Sequence, residues 1–279
     1  MCACPEVWAD NDHGIMDGLE KKRILLEISY DGTMLHGFAF QDGVRTVEGE
    51  LNKAISGLER RELAVIGASR TDTGVHALKN VAVFDSFMNI EDGKYAYAIN
   101  SKLPEDIRIR RSYAVSGDFH PRHCGCEKTY VYTILNDRID VPLRKRYTHF
   151  VPVTLNEEAM QRAGRVLVGE HDFKSFCSVH TQARDTVRHV TAVDVLRKDR
   201  EISIQVKGRG FLYNMVRIIA GTLIEAGKGS LSEEDVRIIL ETRDRTKAGP
   251  TAPAKGLCLV DIKYDVFPGL KPESLCQLR

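Results

Sequence analysis

Residues 23–31, RILLEISYD, alternate apolar with polar side chains, the period of a half-buried β-strand. The elements downstream of that strand decide the fold. Thr46 caps a helix over 47–58, where Val47, Leu51, Ile55 and Leu58 fall on one face. A short strand near 62–68, a strand over 80–87, a helix over 91–100 and a strand over 107–115 complete the order β-α-β-β-α-β. The order returns in the second half. Residues 128–136 alternate as a strand, and Leu155, Met160, Ala163 and Leu167 give 155–168 helical spacing. A hairpin of 187–198 and 201–208 turns at Lys198-Asp199-Arg200, and a strongly apolar helix covers 211–226. A helix over 232–242 opens on the capping box Ser232-Glu-Glu-Asp235, and a strand over 256–264 closes the chain. A split β-α-β unit thus occurs twice without an internal sequence repeat. Two such units can set their sheets edge to edge with a cleft between them. The expected divisions are a flexible acidic extension (1–20), an N-terminal half (21–125), a C-terminal half (126–266) and a tail (267–279).

Charge is unevenly placed. The chain holds 40 Lys and Arg against 39 Asp and Glu. Residues 1–20 carry Glu6, Asp10, Asp12, Asp17 and Glu20 and no Lys or Arg, which leaves 40 against 34, or +6, for residues 21–279. A mildly basic body is compatible with nucleic acid without requiring it. Seven cysteines at scattered spacing do not make a disulfide framework. No segment has the length and apolarity of a membrane span, and the N-terminus lacks the pattern of a signal peptide. A cytoplasmic location, with no membrane partner, is the expectation.

Four segments carry candidate chemistry. Gly67-Ala-Ser-Arg-Thr-Asp-Thr-Gly-Val-His-Ala77 lies between strands and is too polar for a core. Arg70 precedes Asp72 by two, so an extended backbone sends both to one face, where the guanidinium would keep the carboxylate ionised. An ionised, held carboxylate suits a nucleophile or a base; alone, the pair reads more readily as a structural ion pair in a loop. Asp72-Thr-Gly74 also spells an aspartic-protease triplet, but no second copy occurs to share a proton. In Lys128-Thr-Tyr-Val-Tyr132, a strand would put Lys128, Tyr130 and Tyr132 on one face, suited to stacking on a base beside a phosphate or to aromatic cross-strand pairing. Arg217 interrupts the stripe Leu212, Met215, Val216, Ile219 and Leu223, with Tyr213 and Asn214 as its helical neighbours. It either snorkels to solvent or reaches a carboxylate in the cleft. His120, His123, Cys124 and Cys126 cluster without a zinc spacing. Walker and dinucleotide glycine loops do not occur.

Taken together these residues resemble the TruA family of tRNA pseudouridine synthases, from about Arg23 to Tyr264. The most specific motif is Arg70-Thr-Asp-Thr-Gly-Val-His-Ala77, which matches the family's catalytic loop and implies that Asp72 is the catalytic aspartate, with Arg70 in support. Tyr30-Asp-Gly-Thr33 resembles the end of the opening strand. Asp118-Phe-His-Pro-Arg122 followed by Lys128-Thr-Tyr130 gives Tyr130 the role of active-site tyrosine, and Phe211 to Arg217 gives Arg217 that of active-site arginine. His171-Asp-Phe173 with Ser175 and Phe176, and Gly249-Pro-Thr-Ala-Pro253 with Gly256-Leu257, match further family segments. The chain departs from the family at Phe38 and Ala39, where Trp and Gln usually come after His-Gly, and at Thr73, where Ala is usual. The first departure is expected to bear on RNA contacts and on which uridine is chosen.

The resemblance implies an α+β fold of two RRM-like (ferredoxin-like) halves sharing an extended antiparallel sheet with a central active-site cleft. It implies a homodimer, no cofactor, and tRNA as partner, with uridines at tRNA positions 38–40 on the 3′ side of the anticodon stem as substrate. Uridine to pseudouridine is an isomerisation, so neither redox cofactor nor energy donor is required. The carboxylate can attack the sugar carbon or the base, or remove the 2′ proton; the residues leave these open. The uridine must leave its stack, at a cost of a few kcal/mol. Tyr130 would pack on the extruded base, and Arg217 would pair with Asp72. The competing expectation is a catalytically silent RNA-binding protein of the same fold.

Overall fold

The computed structural model describes residues 21–265 apart from His180 and Gln182. The acidic extension (1–20) and the tail (267–279) lie outside the described residues. In chain order the elements are β1 (Lys22–Tyr30), α1 (Val47–Glu59), β2 (Ile66–Gly67), β3 (His76–Ser86), α2 (Tyr95–Asn100) and β4 (Ile107–Val115). Next come β5 (Cys126–Asn136), β6 (His149–Val151), α3 (Glu157–Arg165), β7 (Gly169–Asp172), β8 (Val187–Lys198), β9 (Glu201–Gly208), α4 (Met215–Gly227), α5 (Glu233–Thr242) and β10 (Leu257–Tyr264). The fold is α+β, with one large, mostly antiparallel sheet. Its strand order is β4-β1-β3-β10-β5-β9-β8-β7, with β2 on β3 and β6 on β5. β10 joins the first part of the sheet to the second. It runs parallel to β3 through His76–Cys258 and Ala77–Leu259, and antiparallel to β5 through pairs that include Leu259–Tyr130. The join therefore falls beside the polar loop of residues 67–75.

Local sequence explains most of these elements. The Thr46 side chain accepts from Gly49 N–H and starts α1, and Ser232 and Asp235 close the expected capping box of α5. Ile202, Ile204 and Val206 of β9 are buried in strict alternation, while Asp199 takes the left-handed conformation that turns the hairpin. In α4 the apolar residues extend around the helix. Ile218, Ile219 and Leu223 are fully buried, and each such side chain contributes about 1.5–3 kcal/mol of burial. Among the described residues no helix is long and apolar enough to cross a membrane.

Several expectations are corrected. β1 is buried on both faces from Ile24 to Ile28, because its one acidic residue there, Glu27, is buried beside the Lys79 ammonium at 3.5 Å. The strand near 62–68 shrinks to two residues, and β3 begins earlier than expected, so His76 and Ala77 of the loop motif are strand residues. The helix over 91–100 keeps α-helical geometry only from Tyr95, after one 3-10 turn. The helix over 211–226 begins at Met215. Asn214 sits in the left-handed region at φ 61°, so Tyr213 and Asn214 precede the helix and are not neighbours of Arg217 within it.

Candidate active site

The loop carrying Asp72 is held from below and from the side. Phe38 N–H donates to Thr71 O at 3.0 Å, Gly74 N–H to Leu35 O at 3.3 Å, and Val75 N–H to Asp72 O at 3.1 Å. Gly37 makes this approach possible: its φ is +86°, and a Cβ there would lie 2.6 Å from Thr71 O. Underneath, Tyr30 Oη shares a 2.7 Å hydrogen bond with Thr71 Oγ1, and the buried Asn80 amide donates to Tyr30 Oη and Ser69 O. A buried polar network of this kind fixes the loop because each group it left unpaired would cost about 1–3 kcal/mol. Phe38 is 1% exposed, with its ring against Gly67. The departure at Phe38 thus lies in the packing beneath the loop and not on an RNA-facing surface.

Arg217 comes to Asp72 from the first turn of α4, across a sequence separation of 145 residues. Arg217 Nη1 donates to Asp72 Oδ2 at 3.3 Å and to Asn214 Oδ1 at 2.7 Å; Nε donates to Ala252 O at 2.8 Å. The backbone replies, with Ala252 N–H donating to Arg217 O at 3.1 Å. Residues 249–253, a segment the sequence marked without assigning a task, form the cradle for this guanidinium. They are fixed at Gly249 N–H to Thr222 Oγ1 and at Tyr132 Oη to Pro253 O. The Asp72 and Arg217 side chains are only 19% and 18% exposed. Burial pushes the Asp72 carboxyl above the usual aspartate range, and Arg217 pulls it back in part. Arg217 takes the cleft-facing alternative left open by the sequence.

Tyr130 lines the same space. It is buried, its ring meets Phe211 edge-on at 5.2 Å between centroids, and its hydroxyl shares a 2.8 Å hydrogen bond with Ser69 Oγ. Burial raises the phenol to about 12. Two residues earlier on β5, Lys128 Nζ donates to Ala68 O at 3.0 Å and lies 3.4 Å from Ser69 Oγ. Burial lowers its pKa. Arg70 is exposed at the cavity wall and, among the described residues, makes no ion pair with Asp72. The expectation that Arg70 lowers the Asp72 pKa is corrected: the loop turns at Asp72, and the cation beside the carboxylate is Arg217.

These groups line one open cavity of about 900 Å³. Its walls carry Arg70, Arg122, Lys128, Arg188, Arg209 and Arg217 against two acids, Asp72 and Glu170. Such a concavity attracts polyanions and can hold an extruded nucleotide. Sequence reasoning missed the roles of Ser69, Asn80 and Ala252, which act through contacts between distant segments, although Ser69 and Ala252 lie inside quoted motifs. Asn214, placed beside Arg217 by spacing, reaches it from just outside the helix. His171-Asp-Phe173 with Ser175 and Phe176 is structural: both phenylalanines are fully buried, and Ser175 Oγ donates to Ile239 O at 2.6 Å.

Comparison with known proteins bears on the family. A family model described as tRNA pseudouridine synthase matches residues 28–123 and 163–265, spans that contain Asp72 and Arg217. A tRNA pseudouridine synthase A of Caldicellulosiruptor bescii is 42% identical over 243 residues, covering 87% of this chain and 100% of that protein. One of Ruminiclostridium cellulolyticum is 46% identical over 245 residues with the same coverage, and one of Bacillus subtilis is 38% identical, covering 87% and 99%. With the carboxylate, arginine and tyrosine assembled in a basic cleft, and identity of this extent, the chain belongs to the tRNA pseudouridine synthase family.

Proposed function

We propose that this chain isomerises uridine to pseudouridine in tRNA, with Asp72 as the essential carboxylate. The observation that carries the reading is the pairing of Asp72 with Arg217 inside a cavity that is otherwise basic and is lined by Tyr130. Binding alone has no use for a carboxylate placed where RNA phosphates approach, which argues against a silent RNA-binding protein. In the reaction the N1–C1′ bond breaks, the uracil turns, and C5 bonds to C1′. The ionised Asp72 serves as nucleophile or base, and Arg217 holds its orientation with a planar guanidinium that is itself fixed by Asn214 and Ala252. Tyr130 packs on the extruded base, and Arg70 at the rim contacts the backbone. No cofactor is required for an isomerisation.

The finer readings rest on the family resemblance together with the fold. Within residues 21–125 the strands lie in the order β4-β1-β3-β2, and within 126–266 in the corresponding order β10-β5-β9-β8. This repetition supports two RRM-like halves meeting at the cleft. The targets are uridines at tRNA positions 38–40, the working unit is a homodimer, and the enzyme acts in the cytoplasm. Incubating an unmodified tRNA transcript with purified protein and mapping pseudouridine by nucleotide tests the substrate. Conversion confined to positions 38–40 is expected; conversion elsewhere, or none, would refute it.

A further inference from the structure

We propose that Ser69 and Lys128 form a proton relay behind Tyr130 that removes the uracil C5 proton once C5 has bonded to the sugar. The inference rests on the proposed site and goes beyond it, since nothing in the roles of Asp72, Arg217 and the Tyr130 ring uses these two side chains.

The geometry supplies the continuous row of polar atoms a relay needs, and an uncharged Lys128 would set its polarity. Tyr130 Oη and Ser69 Oγ are 2.8 Å apart, and Ser69 Oγ and Lys128 Nζ are 3.4 Å apart. An uncharged Lys128 amine can donate to Ala68 O, 3.0 Å away, and still accept from the Ser69 hydroxyl with its lone pair. Ser69 then accepts from Tyr130, whose oxygen is left free to receive a proton from the cavity side. Among the described residues Lys128 makes no ion pair with a carboxylate, and burial favours its neutral form. The charged and titratable groups around this relay are Cys126 on the same strand with Cys124 before it, Arg122 on the preceding turn, Asp72, Tyr30 and Cys258 around Tyr130, and the Arg209–Asp265 pair flanking Cys126. Arg122 favours the neutral amine and Cys126 opposes it.

The step balances. The C5–H bond breaks and its electron pair restores the uracil ring. Tyr130 Oη takes that proton while passing its own to Ser69, which passes its own to Lys128. N1, freed from the sugar, takes a proton from solvent, and Lys128 returns its extra proton to water.

The test is single-turnover conversion of tRNA carrying uridine or C5-deuterated uridine, measured across pH with Ser69→Ala, Lys128→Met, Lys128→Arg and Asp72→Asn. Product formation by Ser69→Ala and Lys128→Met should fall about 10²-fold, the lower range for a lost general base. It should also acquire a primary deuterium isotope effect and lose its dependence on Lys128 ionisation. Lys128→Arg should be equally slow, because a guanidinium does not give up its proton at these pH values. Wild-type rates without an isotope effect in Ser69→Ala and Lys128→Met, or rescue by Lys128→Arg, would overturn the relay. Ser69→Ala decides alone if Lys128→Met fails to fold. Asp72→Asn separates the two readings: turnover by that variant would overturn the site itself, whereas an inactive Asp72→Asn beside fully active relay variants would overturn the relay only.

Discussion

Gly221→Ala offers a demanding check on how the site is held, because it changes one atom buried on α4, one turn beyond Arg217. A Cβ at Gly221 would lie 1.8 Å from Pro250 O and 2.9 Å from Pro250 C. Both are backbone atoms, so the clash is relieved only by moving helix and segment apart by roughly 1–2 Å, or by strain. Ala is the better helix former by about 1 kcal/mol, but overpacking of this kind costs about 1–3 kcal/mol. The segment that must move carries Ala252, which bonds Arg217 Nε at 2.8 Å and Arg217 O at 3.1 Å. Loosening a hydrogen bond to a charged group adds about 1.5–3 kcal/mol. The net expectation is a loss of about 2 kcal/mol, or roughly 4–8 °C in Tm for a chain of this size. The larger effect falls on catalysis. A misplacement of about 1 Å in a positioned group costs about 10²-fold in rate, so single-turnover pseudouridine formation should drop by that order while tRNA affinity changes little. A Gly221→Ala protein with wild-type Tm and rate would refute the claim that residues 249–253 orient Arg217.

Asp72→Asn should keep or raise Tm at pH 7. Because the folded-state pKa of Asp72 is raised, its stabilising contribution is present below the unfolded value and lost as pH rises through the folded value; the amide escapes that loss, and thermal melts from pH 4 to 7 should show the gain shrinking toward acid. For the same reason the acid limb of kcat/KM should have its midpoint above about 3.9, the ordinary aspartate value, which a pH–rate profile measures. Tyr130→Phe should bind tRNA nearly as well as wild type and Tyr130→Leu should bind worse, since base–aromatic stacking is worth about 1–3 kcal/mol; equal affinities in a filter-binding titration would remove the stacking role. Binding of tRNA should weaken steeply with salt, by about 0.7–0.9 log unit per log unit of salt for each phosphate contacted, given Arg70, Arg122, Arg188 and Arg209 around the cavity.

Much of this was legible in the chain because local signals coincided with local structure. The Thr46 and Ser232 caps, the hairpin strand over 201–208 and the turn at Asp199 are decided by neighbours in sequence, and each lies where the pattern places it. Arg217 was marked as the one cation in an apolar stripe, but periodicity could not reveal that the helix starts at Met215. Asn214 adopts a left-handed conformation that its type permits without demanding. An extended backbone would pair Arg70 with Asp72. The hydrogen bond from Val75 N–H to Asp72 O turns the loop instead, and leaves the carboxylate to a cation 145 residues away. Ser69, Asn80 and Ala252 act through contacts between segments distant in sequence, which no spacing rule encodes.

The central claim is that Asp72, held by Arg217, carries the isomerisation of uridine. Its most direct measurement is tritium release from tRNA containing C5-tritiated uridine, monitored with wild type and Asp72→Asn at protein concentrations that saturate tRNA for both. Wild type should release tritium in proportion to the pseudouridine formed, while Asp72→Asn binds the same tRNA with similar affinity and releases none. Comparable release by Asp72→Asn, or no release by wild type bound to tRNA, would contradict the account.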